Sequence, residues 1–403
     1  MDKILKFSRQ KIQGITMHIK GFLHKLLPSV IHKKRLTTLT LLIMTALKNK
    51  KLSLTELGRG IELPIKERSG IRRADRFLGN KNLPREKEVI YGAVITRMVG
   101  GATRPDIIVD WSNIPNTTHH VLRAALVAEG RALTLYEEVH PEKKLGNKWV
   151  QNKFLQNLKK LLPYECKPVI ITDAGFHNDW FKEVQRLSWD YIGRVRGKKY
   201  FRVAEKNWGL CSGIFKQKAG MPKYLGRAEL CKSNSIETNL CLFKGKRKDR
   251  QGLNRMGKKR NDSTSLDHRK SAKEPWLLAT SLPESSTLAR RVVKKYSTRM
   301  QIEEGFRDLK SSRYGFGFEN AYSKKRDRIS VLLLIAMLAS FIAWLIGWAA
   351  EKEGMHYQFQ SNTIKNRRVI SLFFLGCRII RRKIKIAMSK IMIAIDEGLS
   401  HAV

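Results

Sequence analysis

The chain has 403 residues, with 79 Lys or Arg against 35 Asp or Glu, a formal net charge of +44, and an isoelectric point near 10.3. A folded protein with that excess of one sign repels itself unless it meets a polyanion, so the expected partner is nucleic acid or an anionic membrane surface. The five cysteines are an odd number with no Cys-x-x-Cys pair, which argues against a disulfide framework and a structural zinc site and fits a reducing cytosol. No export signal is expected, because the apolar stretch FLHKLLPSVIHKK is interrupted by His24, Lys25 and Pro28 before it reaches signal-peptide length.

Residues 1–33 are basic and mildly amphipathic and read as an arm. From Leu36 the run LTTLTLLIMTAL predicts a helix, and KNKK a basic turn after it. Ser53, with Glu56 three residues on, is a capping box that starts a second helix whose buried side is Leu54, Leu57 and Ile61. A third helix over 66–78 carries Arg68, Arg72, Arg73 and Arg76 beside Ile71 and Phe77. Arginines concentrated on the last of three short helices suit a helix-turn-helix module that enters the DNA major groove; an ordinary bundle with a basic solvent face has the same pattern. A further helix over 87–99 completes a helical domain at 34–102.

The pattern then changes to strands. DIIVDW, HVLRAALVA and RALTLYEEV are apolar or alternating runs joined by short polar links, an antiparallel meander. A helix over 149–162, the strand KPVIIT, a helix over 178–187 and the strand DYIGRVR follow. Arg194 and Arg196 alternate along that last strand and so share a face. Between about 198 and 273 the regularity breaks, with possible strands such as NLCLF and then the Gly-, Lys- and Arg-rich run GKRKDRQGLNRMGKKRND, a solvated loop or a DNA-contacting insertion. Ile329 to Ala350 contains no charge and exceeds the roughly 20 residues that span a bilayer. It also suits a helix buried on all sides in a core. Residues 351–403 form a basic, amphipathic and helical C-terminal region.

Three carboxylates stand out. Asp110 ends the run DIIV and Asp173 ends the run VIIT, where open α/β sheets keep their sites. Asp173 in Asp-Ala-Gly also suits a simple turn cap. Tyr296, Arg299, Glu303 and Lys310 follow one another at spacings of three, four and seven. On one helix these and Arg307 fall within an arc of roughly 80°, a stripe able to hold a metal through a hard carboxylate oxygen and a phosphate through the cations, or else a solvated face of ion pairs. Glu304 competes with Glu303 but lies about 100° off the stripe. Asp106 and Asp179 are weaker competitors, and the adjacent His119 and His120 have no ligand spacing.

The motif Y-x₂-R-x₃-E-x₆-K, with VDWSN around Asp110, ITDAGF around Asp173, GRVRGK at 193–198, KEPWLLAT around Trp276 and QIEEGFRDLK at 301–310, resembles the YREK transposases of bacterial insertion sequences, the IS-four family and its IS-ten subgroup. The five blocks come in the family's order, from about Lys34 to about Arg368. The resemblance implies an α/β fold: an RNase H-like mixed-sheet catalytic domain at 103–350 with a β-rich insertion, preceded by a helical domain that binds the ends of the element. It implies that Asp110, Asp173 and Glu303 hold two Mg²⁺ ions, with Mn²⁺ able to substitute. Tyr296, Arg299, Arg307, Lys310, Arg194 and Arg196 are the implied DNA contacts, and Trp276, otherwise readable as core, would receive a flipped base. Arg72, Arg73 and Arg76 are further candidates for DNA binding.

The expected activity is cut-and-paste DNA transposition, by strand cleavage, hairpin formation and strand transfer. The partners are double-stranded element ends and target DNA and a second copy of the chain, with no small-molecule substrate, in a bacterial cytoplasm at the nucleoid. A DNA-binding remnant without catalysis, and a membrane protein with a basic cytoplasmic domain, are the alternatives.

Overall fold

The helices expected ahead of the strands form, one of them at the capping residue read from the sequence. In the computed structural model, which describes residues 19–27, 31–203, 206–215, 220–245, 274–361, 363–387, 389–391, 393 and 397, residues 19–26 form α1. They are followed by α2 (Lys33–Asn49), α3 (Leu54–Arg59), α4 (Glu67–Leu78) and α5 (Leu83–Val99). Ser53 Oγ accepts from the Glu56 amide at 3.4 Å, as the capping box requires. Helices α3 and α4 pack through Gly58 and Gly70: a Cβ on Gly70 would lie 2.3 Å from the Gly58 carbonyl oxygen. Part of the expected N-terminal arm is packed, since Ile19, Phe22 and Leu23 are buried and the Phe22 ring lies 6.2 Å from that of Phe341; residues 1–18 lie outside the described residues.

The chain divides into two units, residues 1–168 with 300–403, and residues 169–299. In the first, β1 (Asp106–Asn113), β2 (His119–Val127) and β3 (Ala132–Pro141) form the expected antiparallel meander with β2 in the middle. Strand β1 runs past the point predicted for it. Trp111, Ser112 and Asn113 pair with Leu122, Val121 and His120, so Asp110 stands within the strand, opposite Arg123, and not at its end. Helix α6 (Lys148–Leu161) packs on α5, and α5 on β3.

In the second unit, β4 (Val169–Thr172), α7 (Asn178–Arg186) and β5 (Asp190–Val195) make a parallel βαβ turn. Phe181 of α7 stacks on Tyr191 at 4.4 Å and covers Gly193, where a Cβ would meet the Phe181 ring at 2.3 Å. Five strands follow: β6 (Tyr200–Arg202), β7 (Gly209–Leu210), then after α8 (Cys211–Ile214) β8 (Lys223–Leu230), β9 (Ile236–Phe243) and β10 (Trp276–Thr280). The order in this unit is β4-β5-β10-β9-β8-β6-β7, so the expected insertion is β-rich and the strand after it, β10, returns to pair with β5. The basic run at 246–260 lies outside the described residues. Helix α9 (Leu288–Ser297) packs on β8, β9 and β10.

Back in the first unit, α10 (Met300–Lys310) packs on β1 and β3. It is followed by α11 (Arg326–Lys352) and, in the basic C-terminal region, α12 (Leu372–Arg381). Helix α11 is long and apolar enough to cross a membrane, and 89% of its most apolar stretch is buried. It is covered by α2, α5, α12 and β3, the placement in which a helix can be apolar all round. Glycine lets it meet α12 closely, since a Cβ on Gly376 would lie 1.8 Å from the Ala343 carbonyl oxygen. The mixed α/β order of elements fits the RNase H-like core expected from the sequence.

Candidate active site

The single helical stripe predicted for Tyr296, Arg299, Glu303 and Lys310 is broken. Two turn residues, Thr298 and Arg299, separate α9 from α10. The Thr298 amide bonds to Lys295 O at 3.2 Å and the Arg299 amide to Tyr296 O at 3.0 Å, three-residue closures that tighten and end the helix without Gly or Pro. Tyr296 therefore belongs to α9, Arg299 to the turn, and Glu303, Arg307 and Lys310 to α10.

Within the first unit, Ile302, Phe306 and Leu309 of α10 are buried, while Glu303 and Arg307, one turn apart, are exposed. Lys310 Nζ donates to Ser112 Oγ at 2.7 Å and to Asn113 Oδ1 at 2.8 Å. Those residues follow Asp110 on β1, and Ser112 shares its strand face. Burial, with the positive charge of Arg123, brings the Lys310 ammonium down to about 8, an effect the Asp110 carboxylate partly offsets. Asp110 Oδ1 accepts from the Trp111 amide at 2.8 Å. Glu304, next to Glu303, is half-buried. It pairs with Arg131, whose Nε also donates to Asp308 Oδ2 at 2.7 Å.

Within the second unit, Asp173 follows the last residue of β4, and its Oδ1 accepts from the Gly175 amide at 2.8 Å, the turn cap that Asp-Ala-Gly allows. Arg196 falls just beyond β5 and so is not a strand residue as predicted. It and Arg194 still face one group, Glu274 Oε2, at 3.9 Å and 3.8 Å. Trp276 opens β10 with its ring against Tyr296, 5.0 Å and nearly perpendicular, and 5.8 Å from Phe243. Tyr296 is 3% exposed. Burial raises its phenol, while Arg299 and Arg194 pull the other way and Asp173 adds to the rise. Arg72 and Arg76 lie exposed and one turn apart on α4, whereas Arg73 Nε donates to Thr38 Oγ1 of α2 at 3.1 Å.

The transposase DDE domain family matches residues 101–342, from just before β1 into α11. The chain belongs to that family. Comparison with curated proteins finds no match. The three carboxylates expected from the sequence, Asp110, Asp173 and Glu303, all lie inside the matched stretch. Carboxylate oxygens are hard donors that suit a divalent cation. Among the described residues, no three His, Cys, Asp or Glu side chains form a group that could hold a metal ion. The sequence reading passed over Arg123, Glu137 and Arg131. For the first two the available signal was an arginine inside the apolar strand HHVLRAALV and two glutamates inside the strand that pairs with it; Arg131, just before β3, carried none.

Proposed function

We propose that the chain is a cut-and-paste transposase of the YREK type, similar to the IS-ten subgroup of the IS-four family, acting in the bacterial cytoplasm on the terminal inverted repeats of its own insertion sequence. The observation that carries this reading is the bond from Lys310 to Ser112 and Asn113. It ties the helix of Glu303 to the strand of Asp110 inside a matched transposase domain.

In this reading Asp110, Asp173 and Glu303 are the three carboxylates of the reaction centre. Bound Mg²⁺ would supply activation of the attacking oxygen and charge stabilisation at the leaving oxygen. The chain's own groups orient the DNA. Lys310 is a point charge held beside Asp110, and the exposed Arg307, one turn from Glu303, is a planar fork for a second phosphate. Arg194, Arg196 and Arg299 neutralise the flanking backbone, and Tyr296 supports Trp276, which stacks a base drawn out of the duplex as the cut end closes into a hairpin. Arg72 and Arg76 of α4 serve end binding in this reading, supported by their exposure where Arg73 bonds to Thr38. Two ends must be joined, so two copies act together.

Incubating purified protein with the DNA flanking its own gene, with and without Mg²⁺, and mapping the breaks tests this. Mg²⁺-dependent nicks at both element ends followed by hairpins are expected. Breaks unrelated to the ends, or binding with no cleavage, would refute cut-and-paste activity, and the second result would favour a DNA-binding remnant.

A further inference from the structure

One row of charged side chains crosses the first unit's sheet at the level of Asp110. Asp110 on β1 is paired with Arg123 on β2, and Arg123 with Glu137 on β3. Directly paired residues of antiparallel strands project to the same face, so carboxylate, guanidinium and carboxylate stand side by side. Arg123 is 5% exposed and Glu137 2%, burial that such groups tolerate only when paired. Both nitrogens Nε and Nη2 of Arg123 bond to one oxygen, Glu137 Oε2, at 2.8 Å and 2.7 Å. The guanidinium also lies 4.5 Å from the ring centre of Phe306, which sits on α10 between Glu303 and Lys310. An arginine beside a carboxylate that must take up a cation is a competitor for it, and here a second carboxylate engages that arginine.

We propose that Arg123 and Glu137 are a positioning pair for the reaction centre: Glu137 keeps the Arg123 charge engaged over the Phe306 ring, so that Arg123 does not compete with an incoming cation for Asp110. The inference rests on the reading of Asp110 as a metal-holding carboxylate. Neither Arg123 nor Glu137 need touch DNA. Removing the counter-charge alone releases the guanidinium towards Asp110, whereas removing both charges takes that competitor away.

The test compares Glu137→Gln, Arg123→Lys and the double variant Arg123→Met/Glu137→Leu with the unaltered chain on an element-end DNA, with Asp110→Asn as the control. Glu137→Gln should raise the Mg²⁺ concentration for half-maximal cleavage by about 10-fold or more, the usual scale for groups that support metal ligands. DNA-end binding should stay near its original value. Mn²⁺ uptake by the protein–DNA complex, read by electron paramagnetic resonance, should weaken in parallel. Arg123→Lys keeps the charge but loses the two-donor bond to Glu137 and the guanidinium over the Phe306 ring, and should shift the curve less in the same direction. The apolar double variant should bring both curves back towards the original. An unchanged Mg²⁺ curve in Glu137→Gln, or a shift that persists in a double variant with an unaltered melting temperature, overturns the pairing role while leaving the site standing. Cleavage by Asp110→Asn at the original rate overturns the site assignment itself, and this inference with it.

Discussion

Two adjacent glutamates on α10 differ in exposure, and their predicted roles can be told apart by substitution. Glu304 is held by Arg131, while Glu303 lies on the exposed face one turn from Arg307. Glu303→Gln and Asp110→Asn should therefore abolish cleavage and leave end binding nearly intact. Glu304→Gln should keep cleavage and cost about 1 kcal/mol or less, the value of a partly exposed ion pair. A gel assay of binding and nicking on the three proteins decides it, and a fully active Glu303→Gln sinks the choice. Lys310 carries a pH dependence. Its ammonium is brought down to about 8 by burial and by Arg123, so its charge fades as pH rises through that value, and end affinity should fall several-fold between pH 7 and pH 9. Lys310→Arg, always charged, should flatten that profile in a binding titration. The effect on folding has the opposite sign. The unfolded chain holds the Lys310 proton more tightly, so this residue makes stability rise with pH from about 8 to the ordinary lysine range.

At the level of elements, the informative feature is the two-residue turn between α9 and α10. It lets Tyr296 pack under Trp276 while Glu303 and Lys310 ride on a separate helix. Trp276→Ala should leave first-strand nicking largely intact and slow hairpin formation, and a substrate lacking the flipped base should partly rescue it. Equal loss of both steps with a lowered melting temperature would mark Trp276 as core packing against Phe243 and Tyr296. The turn was illegible in the sequence because neither Thr298 nor Arg299 is a helix breaker; three-residue amide closures do the work. Similarly, the extension of β1 past Asp110 comes from cross-strand partners at 120–122 that local alternation does not reveal. The meander, the capping box at Ser53 and the βαβ around α7 were legible, since each follows from local periodicity or a local bond. Close glycine crossings are another tertiary fact. Gly376→Ala would place a methyl carbon 1.8 Å from a backbone oxygen of α11, and should cost about 1–3 kcal/mol in a thermal melt.

Over the whole molecule the dominant quantity is charge. With a formal excess of +44, end binding should weaken steeply with salt, log K falling by about 0.9 per phosphate contact per log unit of salt. Neutralising Lys246, Arg247, Lys248, Lys258, Lys259 and Arg260 together should lower that slope in filter-binding titrations, and an unchanged slope would place the phosphate contacts elsewhere. Composition made the class of partner legible but could not say which cations serve it, because Arg123, Arg131 and Arg73 are engaged by internal partners. Helix α11 bears on how the chain is made. Its covering elements are α2 near the start and α12 near the end of the chain, so a ribosome must release almost the whole polypeptide before the most apolar 27-residue helix is enclosed. Until α12 emerges, the nascent chain presents the cell with something that looks like a membrane anchor. A product ending before Leu372 should pellet or partition into membranes, whereas the full chain stays with nucleic acid.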